Sequence, residues 1–244
     1  MKKFIMVTPL QPVERAKRDE NGRIVIDNVS GKPIMEPFDM LKKGKYEPVG
    51  NSRLAYDMFD GMTRFPIIPV INAYAHEGES IEVIAINTHT PASEVHFAQL
   101  EEEAAALSRE KGFTCKVTDV QVDYAGDVNT MVQVFRKLLD YLNDGDILYA
   151  CFTYGVKPMP IAELMALQYV YRIKKNVSIG CLVYGEMDHS VEPQKLRIFD
   201  ITALIHLDET IRLLSERGVE DPLPIIDSII STADDAYEDE DYEQ

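Results

Sequence analysis

Six short strand-like runs, most of them rich in valine, isoleucine and leucine, recur along the chain, at residues 4–8, 81–87, 115–122, 146–152, 178–184 and 195–201. Near-continuous apolar runs suit strands buried on both faces, the situation of a parallel sheet covered by helices. Helical patterns lie between them. Residues 93–111 set Val95, Leu100 and Leu107 on an otherwise charged surface and end at Gly112, a natural helix stop. Residues 127–143 repeat apolar side chains at 131, 134, 135, 138, 139 and 142, a core-facing stripe. Residues 203–217 carry Leu204, Leu207, Ile211 and Leu214 and stop at Gly218. This alternation predicts an α/β, Rossmann-like domain over residues 1–218, with a mainly parallel six-stranded sheet, helices on both faces and right-handed crossovers.

One segment breaks the rhythm. Residues 11–49 include "RDENGRIVIDNVSGKPIM", where turn residues surround a short β-prone run at 23–27. They predict a small β insertion, a hairpin or flap, after the first strand. Residues 51–75 read as helical but are interrupted by Pro66 and Pro69, so two helices or one kinked helix are expected. A short helix at 223–230 belongs to a C-terminal extension, 219–232. The acidic tail, 233–244, is too charged and too poor in apolar residues to pack, and is expected to be disordered.

Charge narrows the function. The net charge is −16, and the last residues, 234–244, hold seven acids and no base, leaving −9 for the rest. Broad attraction to duplex nucleic acid is therefore not expected. A phosphate ligand requires a local site of backbone N–H groups and one or two cations. No run of about 18 apolar residues suggests a membrane span. The apolar start is too short for a signal-peptide core, so a cytoplasmic protein is expected. Cys115, Cys151 and Cys181 lie far apart in strand-like runs and read as reduced core residues. Neither the cysteines nor the five histidines form a metal pattern, and no cofactor is predicted.

The most informative stretch is Thr153-Tyr154-Gly155-Val156-Lys157-Pro158, between the fourth strand and a helix. In a parallel sheet such carboxyl-end loops form the ligand crevice. Gly155 permits a positive φ or a close approach, and Pro160 suits a first helical turn. The helix start offers unpaired N–H groups and partial positive charge, Lys157 a full charge and Thr153 a hydroxyl. The segment also reads as a plain strand-to-helix connection with Lys157 solvated. Thr8-Pro9-Leu10-Gln11 tips the balance, because it ends the first strand and would lie beside the fourth-strand loop at the switch point. There is no Walker pattern and no Gly-rich dinucleotide fingerprint.

"VTPLQP" and "CFTYGVKPMPI" resemble the two ligand-binding motifs of the CARF domain, the sensor domain of CRISPR-associated proteins. The second is similar to that family's Thr-x-Gly-x-Lys-Pro signature, and the likeness is greatest to the Csx1/TM1812-like branch. Strand order and spacing extend the resemblance over most of residues 1–218. The resemblance implies binding of a cyclic oligoadenylate, cyclic tetra- or hexa-adenylate, across the two-fold axis of a homodimer. It implies ligand contacts from Thr8, Pro9, Leu10 and Gln11 in the first loop and from Thr153, Tyr154, Gly155, Val156 and Lys157 in the second. Lys157 would contact the scissile phosphate, and Thr8 would orient the ligand. Thr8 stands where many relatives carry Ser or Gly. Tyr154 replaces a small residue, and could stack on adenine or narrow the pocket.

Some members of that family are ring nucleases. Attack of a ribose 2′-hydroxyl on the neighbouring phosphorus needs no metal, only in-line geometry and stabilised phosphoryl charge. Asn87 and Thr88 share the carboxyl edge and are candidate contacts. His89 is the nearest candidate base, although a turn-capping histidine is the plainer reading. Arg53 could reach a phosphate from the dimer side or be an exposed helix arginine. Asp127 and Asn129 read as helix-start residues. No Arg-x4–6-His ribonuclease motif occurs, and Glu192-Pro-Gln-Lys195 lacks the spacing of a nuclease site. The chain thus reads as a ring nuclease, as a non-catalytic sensor, sponge or adaptor, or as an unrelated α/β nucleotide-binding enzyme.

Overall fold

The computed structural model describes residues 1–38, 40–188 and 195–228. The elements in chain order are β1 (Lys2–Val7), β2 (Glu14–Ala16), β3 (Met35–Pro37), β4 (Tyr46–Val49), α1 (Ser52–Tyr56), α2 (Ile67–Tyr74), β5 (Ser80–Asn87), α3 (Pro91–Lys111), β6 (Thr114–Gln121), α4 (Val128–Tyr141), β7 (Ile147–Cys151), α5 (Pro158–Ile173), β8 (Ser178–Asp188), β9 (Lys195–Asp200) and α6 (Thr202–Glu216). Phe4, Ile5, Met6 and Val7 of β1 are all fully buried. Successive strand residues face opposite ways, so β1 is covered on both faces and forms the centre of the sheet.

The main sheet has the order β4-β9-β8-β7-β1-β5-β6. β6, β5, β1, β7 and β8 are mutually parallel, β9 runs antiparallel to β8, and β4 pairs parallel to β9. All six expected strands form. The expected count of six is corrected to seven, because Tyr46–Val49 from the insertion joins β9 at the sheet edge. Its sequence, with Pro48 and few apolar residues, gave no strand signal. β8 also runs on to Asp188, beyond the expected end at 184.

Apart from β4 of the insertion, the strands that follow β1 are laid down first on one side of it, as β5 and β6, and then on the other, from β7 onward. The switch point therefore falls between the loops that follow β1 and β7. Phe4 stacks on Tyr149, which touches Tyr74 of α2. Val7, an odd number of residues further on, instead meets the loop that leads to α5. α2 and α5 thus cover opposite faces of the sheet.

The insertion is a small β arm. β2 pairs antiparallel with β3, and isolated bridges Arg18↔Ile24 and Ile26↔Pro33 fold the intervening residues back between them. The expected interruption of 51–75 is present, but the break precedes Pro66. Pro69 sits in the first turn of α2, where a missing N–H costs little. α3 begins with a capping box of Thr90 and Ser93 and ends at Gly112 in the left-handed conformation. All three cysteines are free. Among the described residues no helix is long and apolar enough to cross a membrane.

The chain divides into two compact units, Met1–Asp200 and the residues from Ile201 onward. In the second, α6 ends before Gly218 at φ 72 and residues 223–228 are helical. Arg212 pairs with Glu209 and Glu216 on the same α6 face. The acidic tail and Glu192 lie outside the described residues.

A buried ion pair ties the central strands together. Lys3 of β1 pairs with Glu82 of β5, which also accepts from Lys116 Nζ at 2.9 Å and Thr118 Oγ1 at 2.5 Å on β6. Burial alone would raise the Glu82 pKa, but the hydrogen bonds from Lys3, Thr118 and Lys116 outweigh it and hold the group at about 2, below the ordinary 4.5. A depressed folded-state pKa stabilises the fold above the ordinary value and loses that contribution as pH falls towards about 2. Melting curves against pH should show this acid limb in the wild type and lose it in Glu82→Gln. At neutral pH that variant should cost roughly 3 kcal/mol, the low end for breaking a buried pair, because Lys116 is solvated.

Candidate functional site

The site is assembled by packing of the β7–α5 loop onto the end of β1. Gly155 has φ 96, and a Cβ there would stand 2.6 Å from Val7 Cγ1. Only glycine satisfies both the dihedral and the contact. β1 continues its ladder by one bond, Thr8 N to Ile86 O at 2.9 Å. Extending the registers Val7↔Ile86 and Met6↔Cys151 sets Thr8 level with Asn87 and Thr153 across three adjacent strands. The first and fourth carboxyl-end loops therefore meet, as expected.

Several polar groups at this rim have no hydrogen-bond partner within the described chain. They are Thr8 Oγ1, Gln11 Oε1 and Asn87 Nδ2, all buried. Leaving each unpaired costs about 1–3 kcal/mol. Asn87 is otherwise engaged, accepting from His89 N at Oδ1 (3.1 Å) and from Val122 N at its carbonyl (2.8 Å). Thr88 is buried and its hydroxyl lies 3.4 Å from Ser93 Oγ. The Thr8 side chain is only 1% exposed, so its hydroxyl is not presented to solvent in this conformation, contrary to the ligand-orienting role the motif implies. Pro9 is buried, and Leu10 faces a separate surface cavity beside Tyr124.

A cavity of about 230 Å³ lies where the two loops meet, walled by Gln11, Thr153, Tyr154 and Gly185–Met187 and closed by Met40, Leu41 and Tyr46 of the insertion. Thr153 Oγ1 accepts from Gly185 N at 2.8 Å and lies 3.2 Å from Cys151 Sγ. Glu186 brings a carboxylate to the wall, with Arg197 Nη2 at 2.7 Å offsetting its charge. Behind the first loop, His96 of α3 is 1% exposed. Its Nε2 lies 3.1 Å from the Gln11 carbonyl and fixes that turn.

The second motif is corrected in two respects. Tyr154 is 5% exposed and donates its hydroxyl to the Arg64 carbonyl at 2.7 Å. Tyr46 OH approaches the same carbonyl at 3.3 Å. Burial pushes the Tyr154 pKa far up, so the ring is a neutral, largely buried part of the cavity wall whose hydroxyl is committed to the fold. The N-terminus of α5 is also a poorer anion site than expected. Its first and third residues are Pro158 and Pro160, without N–H, and Met159 N is bonded to Val156 O at 2.8 Å. Donors remain one step earlier, where the backbone N–H groups of Gly155, Val156 and Lys157 make no hydrogen bond within the described chain. Lys157 itself is exposed at the same rim and forms no ion pair among the described residues.

The remaining candidates separate. Both His89 nitrogens are occupied, Nδ1 by Glu94 and Nε2 by Asp119 at 3.0 Å. The ring pins a left-handed residue, φ 51, and has no free nitrogen to act as a base. Arg53 is not at the rim. Its Nε donates to Ala73 O at 3.0 Å and its guanidinium lies over Tyr74. The Tyr74 carbonyl in turn accepts from Lys2 at the start of β1, the opposite end of the sheet from Thr8. Asp127 caps α4 through Thr130 N at 3.0 Å, as expected of a helix start. Asn129 lies in the first turn of that helix.

Sequence reasoning missed His96, the Met40–Leu41 wall and Glu163. Glu163 of α5 is fully buried with both carboxyl oxygens unpartnered, and burial raises its pKa well above the ordinary range, keeping it neutral. A lone glutamate within an apolar helix pattern was the one available signal. Gly155→Ala should misplace the second loop and cost about 1–3 kcal/mol. Thermal unfolding would read that loss, and the altered exchange of the 155–157 amides would locate it.

No protein-family model matches the chain. Over 105 residues it is 26% identical to the CRISPR-associated protein MJ1674 of Methanocaldococcus jannaschii. The similar stretch covers 43% of this chain and 16% of that protein. The chain is thus similar to a small part of a much longer relative.

Proposed function

We propose that this chain serves a CRISPR-associated response by binding a cyclic oligoadenylate at the rim between the β1 and β7 loops, between two copies of the chain. One observation carries the reading. The switch point collects polar groups that nothing in the described chain satisfies: Thr8 Oγ1, Gln11 Oε1, Asn87 Nδ2, three successive loop N–H groups and the Lys157 ammonium. The buried atoms among them require a partner, a ligand or ordered water, to repay their desolvation, whereas the exposed Lys157 is solvated and open to an anion. The set is rich in donors, as an anionic, hydrogen-bonding ligand requires. The similarity to a CRISPR-associated protein supports that setting, and the two motifs support the adenylate ring.

A cavity of about 230 Å³ accepts a fragment of such a ring, and the rest would lie across the open rim towards Lys157. Thr8 would engage the ligand only after the first loop shifts. If the ring is cut, the 2′-hydroxyl oxygen bonds to phosphorus and gives its proton to water, while the P–O5′ bond breaks and O5′ takes a proton from water, leaving a 2′,3′-cyclic phosphate and a 5′-hydroxyl. Lys157 and the loop N–H groups would stabilise the phosphoryl oxygens. The occupied nitrogens of His89 favour the second reading, a sensor or sponge that holds the ring without turnover.

Calorimetry with cyclic tetra- and hexa-adenylate tests the reading. Binding should weaken about 10- to 100-fold in Lys157→Ala, the loss of one charge-assisted contact. Chromatography of the same mixtures separates the two forms of the proposal. Linear adenylates that disappear in Lys157→Ala indicate cleavage, and intact bound ring indicates sensing. Failure of both rings to bind removes the nucleotide reading.

A further inference from the structure

The loop that follows β1 is held down at one point. Among the described residues, Pro9 to Pro12 make a single hydrogen bond, from His96 Nε2 of α3 to the Gln11 carbonyl at 3.1 Å. A carbonyl only accepts, so the proton sits on Nε2. The imidazole is buried, and its Nδ1 lies 3.0 Å from the Gln99 side chain, which braces the ring on its other side. Pro9 and Pro12 keep Thr8 and Gln11 extended, so the segment is stiff and moves as one strap.

The strap lies on the side to which Thr8 points. Thr8 stands an even number of residues from Phe4, whose ring packs towards Tyr149 and, through it, Tyr74 of α2, so both side chains face α2. α3 covers the same face, with Lys111 Nζ donating to Asn72 O of α2 at 2.6 Å. After Thr8 the chain therefore turns towards that side, where His96 catches it. The closed position strands polar atoms. Thr8 Oγ1, Gln11 Oε1 and, level with Thr8 on β5, Asn87 Nδ2 are buried without a partner among the described residues. Three unsatisfied atoms thus stand against one hydrogen bond, and a partner reaching them favours opening.

We infer that His96 is the latch of this strap. While its Nε2–H holds Gln11, the Thr8 hydroxyl faces inward, and release of the bond uncovers it at the rim. His96 is a positioning residue, acting on Thr8 through the Gln11 carbonyl. The latch stands on these contacts alone, whereas its effect on an adenylate ring rests on the proposed reading. A ligand that needs Thr8 binds only the open fraction, and its apparent affinity is reduced by that fraction.

Thiol labelling of the full chain reads the strap directly. In Thr8→Cys the introduced thiol should react slowly, with the wild type as control for the three native cysteines. Adding His96→Leu, which removes the donor, should raise the labelling rate about fivefold or more, the worth of one hydrogen bond. Adding His96→Gln instead, whose side-chain amide can donate, should restore slow labelling. Melting curves establish that each variant is folded, and His96→Met takes the place of a His96→Leu that melts early. Fast labelling of Thr8→Cys with His96 intact overturns the latch. So does a rate that His96→Leu leaves unchanged, or one that His96→Gln fails to slow. Calorimetry on the single His96 variants gives the second readout. A ring that binds the wild type should bind His96→Leu more tightly, by the factor seen in labelling, because both report the open fraction. Equal or weaker binding overturns the presentation of Thr8 by the latch. If labelling behaves as expected and neither ring binds, the latch stands and the nucleotide reading alone falls.

Discussion

The contact of Gly155 with Val7 holds the candidate site together. At this point two loops, far apart in sequence, come within van der Waals distance, and the absence of one Cβ makes the approach possible. The residues on either side inherit their placement from it. Thr153 is held by Gly185, Tyr154 is driven into the core under the Arg64 carbonyl, and Lys157 is left outside at the start of α5. One backbone position thus sorts three neighbouring side chains into structural and available groups.

The rim and the core follow opposite electrostatic rules. In the sheet centre the buried charges are matched, Lys3 with Glu82 and Glu82 with Lys116 and Thr118. Burial of an ion is tolerated there because each oxygen has a donor. At the switch point, among the described residues, the buried polar atoms of Thr8, Gln11 and Asn87 are unmatched and the Lys157 charge is unpaired, although the chain as a whole is strongly acidic. A fold stable enough to keep such groups has its surplus from the fully buried strands around them. Glu163, on the buried face of α5 and without a partner among the described residues, is a further polar group held in an apolar setting.

Much of the architecture was legible because burial on both faces leaves a simple trace, a continuous apolar run. All six expected runs became strands, although the edge strand β6 is neither continuously apolar nor buried on both faces, and the periodic helices formed within a few residues of their expected bounds. Gly155 was legible as a glycine with a conformational purpose. β4 was not, because an edge strand of four residues with a proline carries no apolar run. Tyr154 misled in the other direction. Beside a glycine and a lysine it read as a ligand contact, but burial and a carbonyl acceptor claimed its hydroxyl. Arg53 misled because a helix arginine has no periodic signature of which end of the sheet it faces. His96 could not be singled out at all, since its partner is a backbone carbonyl 85 residues away.

The sequence by itself determined the α/β alternation, the strands around β1 and the two polar turns at their carboxyl ends. These depend on periodicity and on the local conformational limits of glycine and proline, which act over a few residues. Only the tertiary structure decided which polar groups at those turns are consumed by the fold and which stay unpaired. That choice depends on partners supplied by distant segments, the Arg64 carbonyl for Tyr154, Asp119 for His89 and Gly185 for Thr153, and no local pattern encodes a partner that folding alone brings near.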